Sequence, residues 1–183
     1  MLELNDVLVE GAEKTVSMMA QERKVTCLTG GSPLVRSRLL LAMMGLEPLK
    51  SGFICIDGEP LGKATSRLFR RMMAYVPSEL RADGEVVVYE PPTVQEVFGL
   101  KDNRDAAISN GLLSEEMKRT MAPDDKAQLL AVAVLRQRPI LLVDNPHPLS
   151  ATYLHRLAEG GRLVIVSSDD TDILRMADEI MEI

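Results

Sequence analysis

The sequence predicts an α/β fold: a mostly parallel sheet flanked by helices, with a small antiparallel N-terminal β part and a reduced helical subdomain. Three observations carry this. The stretches "ILLVD" and "RLVIVSS" are continuous apolar runs, the pattern of parallel strands buried on both faces. Strand-like and helix-like segments alternate after Pro139, which implies parallel pairing with crossover helices. The early strand-like stretches have short connections instead, which favours antiparallel pairing.

Taken in order, "LELNDVLVEG" alternates loosely, turns at Gly11 and reads as a strand. "KTVSMMAQERKVTCLTG" reads as two strands joined around Gln21 to Arg23, the second running from Lys24 to Leu28. Ser37 to Met44 reads as a helix with Gly45 as its stop. "SGFICIDGEPL" is a short strand followed by an Asp57-Gly58 turn. Met72 to Val76 reads as a strand ended by Pro77. After Pro91-Pro92, Thr93 and Glu96 form a capping box, and residues 93 to 137 read as mostly helical. The clearest helix there is "DDKAQLLAVAVLRQRP", with acids at its start and Arg136 and Arg138 near its end. "ILLVDNP" is a buried strand ending at Asp144, "ATYLHRLAEGG" a short helix, "RLVIVSS" a strand, "DDTDILRMADE" a helix and "EIMEI" a last short strand. The expected organisation is one domain over 1–183, with a core of about 1–77 and 138–183 and a helical subdomain of about 90–137.

At 183 residues and 46% apolar, the chain has enough material for one well-formed core. Aromatics make up only 3% and Trp is absent, so aliphatic side chains and 11 Met must fill that core. A net charge of −6 argues against broad binding to nucleic acid or to anionic lipid. Cys27 and Cys55 sit in apolar runs and read as buried, reduced thiols of a cytosolic chain. "MLELNDVLVEG" does not read as a signal peptide. The longest apolar stretch, Leu39 to Leu46, is too short to span a bilayer, so any membrane link is expected to run through a partner.

Ligands of such folds bind beyond the carboxyl ends of the parallel strands, where Leu28-Thr29, Asp144 and Ser167-Ser168 are expected to meet. "CLTGGSPLVRSRLL" has the layout of strand, Gly-rich turn and helix. Set against G-x-x-x-x-G-K-[ST], it keeps Gly30 and Ser37 but has Val35 and Arg36 at the second Gly and the Lys. His147 and His155 lack companions at ligand spacing and read as surface histidines. Arg67, Arg70 and Arg71 read as a solvated face. Glu115-Glu116, Asp124-Asp125 and Asp169-Asp170 read as helix-start acids.

The order of "LELNDV", "CLTGGSPLVRSRLL", "SGFICIDGEPL", "MAYVPS", "TVQEVF", "DDKAQLLAVAVLRQRPILLVDNP" and "RLVIVSSDD…ADEIMEI" resembles the nucleotide-binding cassette of ABC transporters, a branch of the P-loop NTPases. The resemblance implies a phosphate loop at Gly30, Gly31, Val35, Arg36, Ser37 and Arg38, and Mg²⁺ ligands at Ser37 and Asp144. It implies a Q-loop position at Ser78 and an LSGGQ signature at "MAPDD", which includes Ala122, Pro123, Asp124 and Asp125. It places Asn145 where the catalytic Glu stands and Ser168 where the switch His stands, so no catalytic residue is convincing. Asn145 has a neutral amide that cannot take a proton. Pro33 is expected inside the loop without an N–H. Val35 is expected to resist the glycine's backbone angles, and Arg36 to bring a bulkier fork to the phosphates. The adenine-stacking aromatic is absent, since the first aromatic is Phe53. The segment after Asp144 is shorter than the family's.

The resemblance therefore implies a non-hydrolysing cassette, a pseudo-ATPase. Its partners would be a membrane permease, a second cassette in a homo- or heterodimer, or both. It would bind no nucleic acid and insert no segment in the membrane. The expected location is cytoplasmic, peripheral at the cytoplasmic face of the membrane. ATP and Mg²⁺ are expected only if nucleotide binding is retained. One alternative is a divergent, active Mg-ATPase using Arg36, Ser37 and Asp144. Another is a regulatory or scaffold protein on the same fold.

Overall fold

The computed structural model describes residues 1–78, 81–82, 85–86, 137–147 and 149–183. In chain order its elements are β1 (Leu2–Leu8), β2 (Val16–Ala20), β3 (Val25–Thr29), α1 (Pro33–Met43), β4 (Ser51–Ile56), β5 (Glu59–Pro60), α2 (Ser66–Met72), β6 (Met73–Val76), β7 (Arg81–Ala82), β8 (Glu85–Val86), β9 (Ile140–Asp144), α3 (Ala151–Glu159), β10 (Leu163–Ser167), α4 (Thr171–Met176) and β11 (Glu179–Glu182). Two units divide the chain: Met1–Ser78 with Pro139–Ile183, and Glu79–Arg138. In the second, β7 and β8 pair antiparallel. Of the stretch 93–137 expected to be mostly helical, only Gln137 is described, in a turn at φ +53°; the rest, with the signature positions, lies outside the described residues.

The first unit holds two sheets. One is antiparallel in the order β2-β1-β4-β5, and the other is parallel in the order β11-β3-β10-β9-β6. The antiparallel expectation for the early strands thus holds for β1, β2, β4 and β5. β3 departs from it and enters the parallel sheet, because "VTCL" is buried on both faces and needs neighbours on both edges.

Every residue of β9 and β10 is buried. Alternation divides them between two layers. Ile140 and Leu142 join the main core with Leu39, Leu40 and Met43 of α1, while Leu141 and Val143 turn the other way. α3 and α4 contact the sheet through β3 and β10, with Leu154, Leu157 and Ile173 buried. Full burial of each such aliphatic side chain contributes about 1.5–3 kcal/mol, which makes the parallel sheet the rigid base of the site. Cys27 and Cys55 are buried and unbridged, and burial pushes the Cys27 thiol up to about 11.

α1 starts earlier than the sequence pattern suggests. Ser32 caps it, its side chain accepting from Val35 N at 3.3 Å, and Pro33 takes the first helical position, where a missing N–H costs nothing. The helix stops as expected at Gly45, which adopts φ +69° while Leu46 N donates to Leu41 O and Gly45 N to Ala42 O. α2 is an addition to the expected elements. It is seven residues long, has no side-chain cap, and buries only Phe69. β1 carries a bulge at Asp6, whose φ is +49° and where its register with both neighbours shifts. Gly52 lies opposite: a Cβ there would collide with the backbone carbonyl of Asp6, so only glycine lets the bulged strand approach.

Candidate functional site

The site forms because three parallel strands end together. Leu28 aligns with Ser167, and Ser167 with Asp144, so the carboxyl ends of β3, β10 and β9 present Thr29, Ser168 and Asp144 along one edge. This is the convergence expected from the sequence. After β3 the chain turns through Gly30 and Gly31 at φ +72° and +56°, angles that favour glycine, and then enters α1.

The side chains at this edge fall into two groups. In the first, Ser37 Oγ donates to Asp144 Oδ2 at 2.5 Å, and Tyr75 Oη donates to the same oxygen at 3.2 Å. Asp144 is buried at 3% exposure. Burial, then the Asp144 charge and the hydrogen bond to it, push the Tyr75 phenol well above its ordinary value, so Tyr75 stays a donor. Tyr75 lies in "MAYVPS", but that stretch gives it no role at the site. Its place on β6, beside β9, brings it there.

The second group centres on Arg36, which is only 5% exposed. Its Nη1 donates to Gly30 O at 2.6 Å and to Asp169 Oδ1 at 3.1 Å, its Nη2 to Asp169 Oδ2 at 2.7 Å, and its Nε to Ser167 Oγ at 3.3 Å. Asp169 Oδ1 also accepts from Thr29 Oγ1 at 2.8 Å and from Gly30 N at 3.2 Å. Partial burial raises the Asp169 carboxyl, but hydrogen bonds from Thr29, Arg36 and Gly30, with the Arg36 charge, outweigh it and hold it below the usual carboxylate value. The expectation for the Asp169-Asp170 pair needs correcting. Asp170 does cap α4, accepting from Asp172 N and Ile173 N, whereas Asp169 faces the loop.

Other expectations are corrected by geometry. Val35 lies within the first turn of α1, is buried and is absent from the positive-φ positions, so its branched side chain packs without backbone conflict. Pro33 is a helix residue rather than a loop residue. Arg38 points away from the edge, donating to Glu10 O at 2.9 Å and lying 3.6 Å from Glu47. His155 is not a free surface histidine: it is half-buried, 3.8 Å from both Glu159 and Asp178. His147 is exposed as expected, and of the Arg67, Arg70 and Arg71 face only Arg70 is half-buried. Asn145 follows β9 at φ +50° and donates its N–H to Ser167 O at 3.0 Å. Ser168 is buried, and its Oγ accepts from Asp170 N. Ser78 follows Pro77 as the last residue of the first unit's N-terminal segment.

Two clefts border the edge. One of about 640 Å³ lies beside the glycine turn, lined by Gly11, Lys14, Val16, Gly31, Ser32 and Val35 among others. The other, of about 490 Å³, is lined by Asn145, His147, Ser168, Asp170 and Arg175 among others.

The profile of the ABC transporter family matches residues 14–148, more than half of the chain. This chain belongs to the ABC transporter ATP-binding family. It is 22% identical to the ribose import ATP-binding protein of Rhodococcus jostii over 98% of its own length and 42% of that protein's. It is 28% identical to an ABC transporter ATP-binding protein of Archaeoglobus fulgidus over 88% of its own length and 62% of that protein's. The chain thus spans less than two thirds of the length of these curated relatives. The fold matches an ATP-binding cassette solved as a dimer in a post-hydrolysis state with ADP and Pi, at TM-score 0.68 and 20% identity, over 100% of this chain and 94% of that one.

The resemblance to ABC cassettes implies ATP with Mg²⁺ as the ligand to test against these residues. The chemistry of the first group fits that ion: a hydroxyl and a carboxylate are hard oxygen donors, and they stand 2.5 Å apart in Ser37 and Asp144. When bound, the ion supplies charge neutralisation to phosphate oxygens. Among the described residues no cluster of three His, Cys, Asp or Glu side chains would hold a metal by itself. No helix among them is long and apolar enough to cross a membrane.

Proposed function

We propose that this chain is a non-hydrolysing ATP-binding-type cassette that docks, from the cytoplasmic side, on a membrane permease, a partner cassette or both. One observation supports it above the rest. The cation at the position read as the phosphate-loop lysine is buried, and four of its five N–H groups are committed to Gly30 O, Ser167 and Asp169, whose carboxylate pairs with its charge. Asn145 at the position read as the catalytic Glu, and Ser168 at that of the switch His, point the same way: neither can hold a proton taken from water. Losing several such groups removes several kcal/mol each of transition-state stabilisation, roughly 10²–10³ in rate per donor. On this reading the chain is one cassette with core 1–77 and 138–183 and a helical subdomain at 90–137. Docking on a permease belongs to the stretch 78–120.

The test is a titration of the full chain with ATP, with and without Mg²⁺, beside a phosphate-release assay. The expected result is no saturable binding in the micromolar range and no turnover above a protein-free blank. Micromolar affinity would sink the reading.

The Ser37–Asp144 contact favours one second reading, a divergent Mg-ATPase. Turnover that disappears in Asp144→Ala would establish it.

A further inference from the structure

We propose that Asp169 is an internal plug: its carboxylate occupies the anion cradle of the Gly30 turn and excludes a phosphate group from it. This rests on the reading of the turn as a phosphate loop and adds what closes it. The donors around Asp169 are of the kinds that bind phosphate oxygens. They are the backbone N–H of Gly30, the hydroxyl of Thr29 and both terminal nitrogens of the Arg36 fork. All four contacts fall on one carboxylate, which is the planar, bidentate partner a guanidinium prefers.

The exposures show which group is the stopper. Arg36 is 5% exposed, while the Asp169 side chain is 59% exposed. The carboxylate therefore stands between a buried cation and solvent. A soluble anion approaching the turn meets the outer side of a negative charge, and the donors behind it are taken. The carboxylate is covalently tethered to the same unit, so it competes at a high effective concentration against a free ligand. Removing it leaves Arg36 with two neutral acceptors, Gly30 O and Ser167 Oγ, and an unneutralised buried charge. That charge, with the freed N–H of Gly30, favours a replacement anion.

The experiment uses the full chain as wild type, Asp169→Ala, Asp169→Asn and the double variant Arg36→Met/Asp169→Ala. Inorganic phosphate alone, ATP alone and Mg·ATP are each titrated by calorimetry and by thermal shift. The expected outcome is that Asp169→Ala binds phosphate or ATP at least roughly tenfold more tightly than wild type, because the competent fraction of the cradle rises. The gain should shrink in Asp169→Asn, which retains acceptors for Thr29 and Gly30, and vanish in the double variant. If Asp169→Ala fails to fold, Asp169→Asn carries the comparison, with a smaller gain expected. An affinity ratio to wild type near one for phosphate, ATP and Mg·ATP alike overturns the plug. The plug stands or falls on that ratio alone. The non-hydrolysing reading is judged separately, by the absolute affinity and turnover of the wild type.

Discussion

Replacing Arg36 by Lys restores the residue type of an ordinary phosphate loop, and the structure predicts that it destabilises the fold. The guanidinium makes four donor contacts, to Gly30 O, Ser167 Oγ and both oxygens of Asp169, at 2.6 to 3.3 Å. A lysine ammonium is a single point and cannot span the carboxylate and the Gly30 carbonyl with the same fork. Hydrogen bonds to charged groups contribute about 1.5–3 kcal/mol each when buried. The Asp169 side chain is 59% exposed, so solvent screening cuts its share well below that range. The contact to Gly30 O remains, and with the screened pair it sets an expected loss of about 1–3 kcal/mol. For a chain of this size, a loss of about 2 kcal/mol lowers Tm by roughly 4–8 °C. Urea unfolding followed by circular dichroism should show a lower midpoint at an unchanged slope. Arg36→Met keeps most of the stem but takes the Arg36 donor from Gly30 O and leaves Asp169 with only Thr29 Oγ1 and Gly30 N, and should cost more than the Lys variant. If Arg36→Lys unfolds at the same urea concentration as wild type, the fork does not hold the turn, and the reasoning about a committed arginine is wrong.

Three further outcomes are expected. Gly52→Ala should be strongly destabilising because its Cβ would collide with the backbone carbonyls of Asp6 and Asn5, whereas Gly58→Ala, also at positive φ but with nothing within 4 Å, should cost only about 1 kcal/mol; equal melting temperatures for the two would refute the bulge argument. Asp170→Ala removes the acceptor for Asp172 N at 2.7 Å and Ile173 N at 3.3 Å, and should cost about 0.5–2 kcal/mol in denaturant titrations, while Asp172→Ala should be near neutral. The folded-state pKa of Asp169 lies below its unfolded value, so its stabilising contribution is complete above the unfolded value and lost as pH falls through the folded one. The excess stability of wild type over Asp169→Asn should therefore hold from neutral pH to about 5 and shrink below about 4; an excess that shrinks near neutral pH would contradict the assignment.

The parallel sheet is legible in the sequence because burial on two faces leaves a plain mark. "ILLVD" and "RLVIVSS" carry unbroken apolar runs up to their last positions, and those positions are where the site begins. The helix stop at Gly45 is equally readable, since only a residue tolerant of positive φ closes that turn. Local competition is what the sequence conceals. Ser32 and Pro33 look like loop residues, yet the same pair is a good N-cap and first helical residue, and the cap moves Val35 and Arg36 from a loop into a helix. α2 hides because seven residues with one buried side chain carry almost no periodic signal. Asp169 is masked by its neighbour: two acids before a helix look alike in sequence, and only the parallel register sets one against Arg36 and leaves the other to cap α4. The available clue is a lone arginine expected at the mouth of a sheet whose neighbouring strand end carries an acid.

On the proposed reading the two groups at the strand ends act as one site. Ser37 and Asp144 offer a divalent ion one hydroxyl and one carboxylate. Mg²⁺ demands near-octahedral oxygen coordination and keeps its waters, so a site with so few protein ligands depends on phosphate oxygens to hold it. On the proposed reading those oxygens are kept out by Asp169, which follows β10, the strand paired with β9 that ends at Asp144. A closed phosphate side then silences an intact metal side without any change to the metal ligands. It follows that Mg²⁺ alone should leave the wild-type melting temperature unmoved. In Asp169→Ala, Mg²⁺ should stabilise only when ATP is also present. Stabilisation of the wild type by Mg²⁺ alone would show that the metal side stands by itself, and that the two groups do not act as one site.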